Sequence, residues 1–323
     1  MKVLAPAFLA LLLFVIPVSA LDLPQASQQN DISVIDVHFK NTEGWELAAT
    51  IYCPPGGGKH PAIVFCGGWC SQRSMYSWIG EGLAQRGYIA MLLDPTATGD
   101  SEGVLPDWTV PFSENILGIP LRPGAAIEGP LRLAQGVWRQ DVWDAIDYLL
   151  NQSPVREMVD ESRIGIAGHS FGGVAVTSTP LHPKVKAVVA LSDVNPATVG
   201  ELGELGVPLQ IQTGDFDILI NDQLNPIPCY RLAKPPKELI VIAGGTHDGF
   251  SNLLYGYYPA PPWQREVSMR YMAAWFDYFL KGDTSALGTL TSWDKHLSRL
   301  HLSCYNFGDG EHYLLPELDV QLP

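Results

Sequence analysis

Apolar and polar positions along the chain follow two different periods, which predict strands and helices. Residues 34–53 alternate residue by residue and break at 41–44, as expected of two antiparallel strands joined by a turn. Continuous apolar runs typical of buried strands follow at 61–65, 88–93, 163–167, 185–191, 207–213 and 238–243.

Several segments between or after these runs are predicted helices. They are 74–86, 138–151 and the long, aromatic-rich segment 263–280, which ends at Lys281-Gly282. Because strands alternate with helices, an α/β fold is predicted, with a mostly parallel central sheet and helices on both faces. The 323 residues suit one large domain, which we place at 21–323.

A candidate nucleophile lies where one predicted strand gives way to a helix. The sequence GHSFGG at 168–173 follows the apolar run 163–167 and contains a Gly-x-Ser-x-Gly motif centred on Ser170. In a strand–serine–helix turn the serine backbone is strained, and the flanking residues must be small to avoid the neighbouring strand and helix. The alternative interpretation is a glycine-rich turn with an ordinary capping serine.

A serine hydroxyl needs a histidine to accept its proton and a carboxylate to orient that histidine. His247 follows the predicted strand 238–243, and both Asp215 and Asp217 follow the strand 207–213. This gives the order Ser, Asp, His, with each partner on a loop after a later strand. Asp217 stands at the fourth position of a Gly-x-x-Asp loop. Enzymes with this order of serine, acid and histidine usually carry the acid there, so Asp217 is preferred over Asp215.

Two backbone N–H groups are needed to stabilise the oxyanion that forms when the serine attacks. Phe171 follows the nucleophile and is predicted to supply one of them. The other is assigned to Trp69, in the loop CGGWC (66–70) after the strand 61–65. The alternative is that Trp69 is a packing residue without substrate contact.

The oxyanion region resembles two families of serine esterases. Residues 65–88 are similar to the corresponding region of platelet-activating-factor acetylhydrolases and of bacterial cutinases and polyester hydrolases. The GHSFGG motif resembles that of the first group, and the loop 244–247 resembles the histidine loop of the second. The resemblance implies an α/β-hydrolase with Ser170, Asp217 and His247 as its triad. It implies the Trp69 and Phe171 amides as the oxyanion hole.

The segment 103–136 is longer than an open polyester-binding cleft would need. It is rich in Pro and Gly, and Trp108, Phe112 and Ile116 are interspersed. It leaves the sheet after the strand 88–93, at the edge where Ser170 is expected, so we interpret it as a lid. A surface excursion that packs elsewhere is the alternative. The tail 284–323 is apolar enough to pack on the body.

The first twenty residues indicate export. Lys2 precedes an almost wholly apolar stretch that ends at Ala20, a pattern typical of a cleaved signal peptide, and a secreted protein is predicted. No later run reaches membrane length, so no stable membrane anchor is expected. The net charge of −14 argues against nucleic acid as a partner.

Five cysteines occur in a chain predicted to reach an oxidising compartment: Cys53, Cys66, Cys70, Cys229 and Cys304. Disulfide bonds are therefore expected, and the odd number leaves at least one thiol free or paired between chains. Cys and His residues lack zinc-ligand spacing, and no phosphate-binding or dinucleotide motif is present, so neither a metal nor a cofactor is expected.

These observations predict a secreted serine hydrolase that cleaves a small or polymeric carboxylic ester through an acyl-enzyme. A serine peptidase or thioesterase would use the same residues and is the first alternative. A non-catalytic binding module on a hydrolase scaffold is the second, and it would require a broken triad.

Overall fold

Nine strands form one sheet in the computed structural model, which describes residues 32–104, 131–194, 202–251 and 260–303. The strands are β1 (Ser33–Lys40), β2 (Glu46–Cys53), β3 (His60–Cys66), β4 (Ile89–Leu93), β5 (Val159–His169), β6 (Val185–Leu191), β7 (Leu209–Gly214), β8 (Lys237–Ile242) and β9 (Leu297–Ser303). Their order in the sheet is β1-β2-β4-β3-β5-β6-β7-β8-β9. Strands β3 to β8 are parallel, whereas β1, β2 and β9 pair antiparallel at the two edges.

Helices cover both faces of this sheet. They are α1 (Ser77–Ala84), α2 (Arg139–Asn151), α3 (Phe171–Val176), α4 (Pro226–Leu232), α5 (Gln264–Lys281) and α6 (Leu287–Leu290). Successive strand residues point to opposite faces, so Val64 of β3 packs in the core under α2 and α3, and Phe65 packs in the core under α1 and α5. The predicted α/β architecture, with a mostly parallel sheet, is confirmed.

Strand β9 and the short helices α4 and α6 were not predicted from the sequence. Strand β9 lies in the tail that was expected only to pack on the body, and its buried positions Leu297, Leu300 and Leu302 do not alternate strictly. A register shift between Val241 and Ile242 of the partner strand accounts for that broken period. Helix α4 carries prolines in its first turn, where a backbone N–H would have no partner within the helix and its absence costs nothing. The helix is too short to show helical spacing.

Some predictions fall outside the described residues. These are the signal peptide at 1–20, most of the proposed lid at 103–136, and the tail beyond residue 303. Within the described ranges, no helix combines the length and the apolar character needed to cross a bilayer.

The expectation of disulfide bonds is not met among the four described cysteines, which are free thiols. Cys53 ends β2 and Cys66 ends β3, with β4 between them in the sheet. Two strand spacings alone place their backbones at least roughly 10 Å apart, and a disulfide needs Cα atoms within about 7 Å. Cys304 lies outside the described residues.

A buried carboxyl group lies between β8 and α5. Glu238 is fully buried, and Gln210 Nε2 donates a hydrogen bond of 2.5 Å to its Oε2. Burial raises the pKa of this carboxyl well above its ordinary value. The folded protein therefore keeps a proton on Glu238 at a pH at which the unfolded chain has lost it.

This proton makes the stability fall as the pH rises. The contribution of Glu238 is complete below its unfolded pKa of about 4.3, and it is lost as the pH rises towards the raised folded pKa. We expect Glu238→Gln to remove this dependence. The free energy of unfolding of the variant should then rise, relative to that of the wild type, by up to about 1.4 kcal/mol for each pH unit. Urea unfolding at pH 5.5 and 8.5 measures the difference.

The matched control is Glu161→Gln, at an exposed carboxylate 2.8 Å from the Lys184 ammonium group. The pKa of Glu161 is lowered by that lysine, so its contribution is lost only at acid pH and is constant over this range. Unfolding free energies that change in parallel with pH for the wild type and Glu238→Gln would contradict the prediction.

Candidate active site

Ser170 lies in a sharp turn between β5 and α3. Its φ of 55° is positive and its ψ of −125° lies far outside the left-handed helical region, so the backbone of this residue is strained. A Cβ atom on Gly168 would lie 2.2 Å from the carbonyl oxygen of Gly172, and one on Gly172 would lie 2.1 Å from that of Cys66. Small residues are therefore required at both positions, as the motif predicted.

His247 and Asp217 meet at the carboxyl ends of β8 and β7. Their closest atoms, His247 Nδ1 and Asp217 Oδ2, are 2.8 Å apart, and both residues are buried. The other oxygen, Asp217 Oδ1, accepts hydrogen bonds from the backbone N–H groups of Leu219 (2.9 Å) and Ile220 (2.8 Å). Because His247 Nδ1–H donates to this carboxylate, Nε2 is the ring atom that can accept a proton.

Asp215 points elsewhere. Its Oδ1 accepts a hydrogen bond of 2.7 Å from the backbone N–H of Gly244, which ties the β7 loop to the β8 loop. The two carboxylates of this loop therefore diverge, and the structure places Asp217 against His247.

A cavity of about 480 Å³ brings the other predicted residues together. Ser170, His247, Trp69 and Phe171 all line it, while Asp217 lies behind His247. The remaining wall includes the apolar side chains of Leu131, Leu219 and Ile220 and the carboxyl groups of Asp193 and Asp248.

Trp69 both packs and lines the cavity. Its ring stacks on Trp138 at a centroid distance of 5.9 Å and meets the edge of Phe171 at 6.4 Å. The loop that carries it approaches Ser170 closely, because a Cβ atom on Gly68 would lie 3.0 Å from Ser170 Cβ. Trp69 therefore packs against aromatic neighbours and also lines the cavity, and the assignment of its N–H to the oxyanion hole stays a prediction.

Asp193 is a cavity residue that the sequence analysis did not single out. It follows β6, is buried, and its Oδ1 accepts the backbone N–H of Val194 at 2.9 Å. Burial raises its pKa to about 7, the nearby Asp217 adds to the effect, and His247 opposes it. An acidic residue directly after a buried parallel strand was the available signal, since such strands end at the edge that forms the site.

The described residues contain no group of three or more His, Cys, Asp or Glu side chains arranged to hold a metal ion.

Burial and the neighbouring His247 lower the pKa of His169 well below its usual value. A neutral His169 therefore lies beside His247, with ring centroids 4.7 Å apart.

Two family models match the chain, each over more than half of its length. The PET hydrolase-like model matches residues 130–300, which contain Ser170, Asp217 and His247. The acetyl xylan esterase model matches residues 19–194, which contain the loop of Trp69 and the nucleophile turn.

Curated relatives include several bacterial ester hydrolases. The chain is 24% identical to cutinase est2 of Thermobifida alba and 23% identical to cutinase cut1 of Thermobifida fusca, each over 73% of its own length. It is 23% identical to the bis(hydroxyethyl) terephthalate hydrolase of Streptomyces coelicolor, also over 73%. The matched parts cover 65%, 61% and 63% of those proteins, respectively. The expected resemblance to bacterial cutinases is confirmed.

The geometry of the β7 loop predicts unequal effects for its two carboxylates. Asp217→Asn removes the charge that faces His247 Nδ1–H, and we expect turnover of p-nitrophenyl acetate to fall on the order of 10³–10⁴-fold. Asp215→Asn keeps an oxygen that can accept the Gly244 N–H, so its turnover should stay within about threefold of the wild type. Equal losses in the two variants, or the reverse order, would contradict this assignment.

Proposed function

The chain belongs to the PET hydrolase-like family of α/β-hydrolases, and from this premise we propose that it cleaves carboxylic esters by serine catalysis. The observation that carries the proposal is the contact of 2.8 Å between His247 Nδ1 and Asp217 Oδ2, with His247 facing the same cavity as Ser170. A carboxylate, an imidazole and a strained serine in this arrangement constitute a nucleophile with its base.

The reaction begins when Ser170 Oγ attacks the ester carbonyl carbon and His247 Nε2 takes the hydroxyl proton. Asp217 stabilises the imidazolium, while the backbone N–H groups of Trp69 and Phe171 donate to the oxyanion. Collapse of this intermediate breaks the ester C–O bond, and the imidazolium gives its proton to the leaving alcohol. A water molecule deprotonated by His247 then attacks the acyl-enzyme, which releases the acid and restores Ser170.

The surroundings of the cavity favour esters with apolar groups. The β7 loop exposes Phe216, Ile218 and Leu219 by about 60% each, and Leu219 also lines the cavity. Leu224, further along the same segment, is 81% exposed. An apolar acyl or alcohol group extending from the cavity would cover part of this surface and gain hydrophobic free energy.

We also propose that the protein acts outside the cytoplasm, after removal of residues 1–20 as a signal peptide. The sequence pattern at 2–20 supports this, and secretion would bring the enzyme to polymeric as well as small esters. Sequencing the N-terminus of protein recovered from the export compartment tests it, and an intact N-terminus there would contradict it.

A substrate panel tests the reaction class. We expect hydrolysis of p-nitrophenyl acetate, butyrate and octanoate, and no comparable cleavage of peptide anilides. Preference for anilides or for thioesters over the matched oxygen esters would instead favour a peptidase or a thioesterase. A fluorophosphonate probe should label Ser170, and failure to label would favour a non-catalytic module.

Ser170→Ala is the direct test of the mechanism. We expect this variant to lose ester hydrolysis on the order of 10³-fold or more, because no other group described at the turn replaces the nucleophile. Its thermal unfolding should match that of the wild type, since the hydroxyl is removed without changing the backbone. A folded variant with near-wild-type turnover would overturn the serine mechanism.

A further inference from the structure

A chain of buried hydrogen bonds links the loop that carries Trp69 to the backbone of His247. The Gly68 N–H donates to Tyr76 Oη at 3.0 Å, and Tyr76 Oη lies 2.9 Å from His169 Nδ1. His169 Nε2 lies 3.1 Å from the carbonyl oxygen of His247. Tyr76 and His169 are both buried, so these bonds are shielded from water.

The direction of each bond follows from the chemistry of its atoms. A carbonyl oxygen only accepts, so His169 Nε2 must carry a proton to bond with His247. His169 is neutral because its pKa is lowered well below the usual value, and a neutral ring carries one proton. Its Nδ1 is therefore an acceptor, and the Tyr76 hydroxyl donates to it while accepting from Gly68.

A neighbouring contact orients the peptide group between Gly68 and Trp69. The Ser71 hydroxyl donates to the Gly68 carbonyl oxygen at 2.6 Å, and Ser71 Oγ lies 3.1 Å from Tyr76 Oη. In a trans peptide the N–H points away from the preceding C=O. Fixing the Gly68 carbonyl therefore fixes the direction of the Trp69 N–H, which our proposed function assigns to the oxyanion hole.

We propose that Tyr76 is a positioning residue that holds the oxyanion loop and the base loop in register through its hydroxyl group. It acts on the hole by accepting the Gly68 N–H, beside the Gly68 carbonyl that Ser71 holds, and on His247 through the neutral ring of His169. This role rests on the proposed ester hydrolysis and adds to it a buried residue of the cavity lining that acts through Gly68 and His169.

Tyr76→Phe removes the hydroxyl and keeps the ring that packs in the core. The Gly68 N–H and His169 Nδ1 then lose their shared partner, so Gly68, which precedes the Trp69 N–H, is held less firmly. Small misplacements of catalytic groups cost up to 10²-fold, and loss of one oxyanion donor costs 10²–10³-fold. We expect kcat/KM per active site to fall roughly 10- to 100-fold on these grounds.

Tyr88→Phe is the matched control. Tyr88 is also fully buried, and its hydroxyl donates to Asp277 at 2.7 Å, outside the cavity lining. Both variants should lower the unfolding temperature, but only Tyr76→Phe should lower kcat/KM, measured with p-nitrophenyl butyrate and normalised by fluorophosphonate titration. Equal kcat/KM for the two variants and the wild type would overturn the proposal.

Inhibition by phenylboronic acid is a second measurement, and a general loss of stability does not change its Ki. This acid bonds to Ser170 Oγ to form a tetrahedral adduct, and one boron-bound oxygen occupies the oxyanion hole. We expect its Ki to rise in Tyr76→Phe by a factor similar to the loss in kcat/KM, and to be unchanged in Tyr88→Phe. An unchanged Ki in Tyr76→Phe would show that the hole does not depend on this hydroxyl.

Ser71→Ala keeps the proposal testable if Tyr76→Phe does not fold. It should lower kcat/KM and weaken phenylboronic acid binding in the same proportion. Where both single variants fold, the double variant should lose less than the product of the two single losses, and independent losses would contradict a shared action on Gly68. A wild-type protein inactive on every ester would refute the proposed function itself, whereas an active wild type with unaffected variants would refute only the role of Tyr76.

Discussion

Direct backbone contact between the end of β3 and the turn after β5 is the constraint on which the site depends. The loop at Gly68 comes within van der Waals distance of Ser170, and Gly172 packs against the carbonyl oxygens of Cys66 and Gly67. Side chains at these glycines would force the two segments apart. The contact sets the distance between the nucleophile and the predicted Trp69 amide, and it is available because β3 and β5 are neighbours in the sheet.

Buried polar groups around this contact are satisfied by one another. Tyr76 and His169 would be costly to bury without partners, yet they bond to each other and to backbone groups of two loops. Such a network orders the loops more strictly than apolar packing would, because its bonds have direction. The same logic applies to Asp217, both of whose oxygens are engaged.

The sequence predicted most of the architecture because buried parallel strands leave strong apolar runs, as at 185–191, which the structure reproduces as β6. The order of Ser170, Asp217 and His247 also followed from the strand sequence. Contacts between side chains distant in the sequence could not be predicted: nothing in the segment 74–86 distinguished Tyr76, whose partner His169 lies 93 residues further along the chain. Strand β9 was missed because its register shift breaks the alternation that marks a strand.

Because both oxygens of Asp217 accept hydrogen bonds, the choice of inactive variant matters for a crystal structure with a bound ester. One oxygen orders the segment of Leu219 and Ile220, which forms part of the cavity wall, so a replacement without a side-chain acceptor alters the cavity wall as well as the chemistry. An Asp217→Ala protein would therefore present a reshaped cavity to a ligand. Substitution at Ser170, whose side chain orders no loop through a described hydrogen bond, leaves the wall intact for crystallographic soaking.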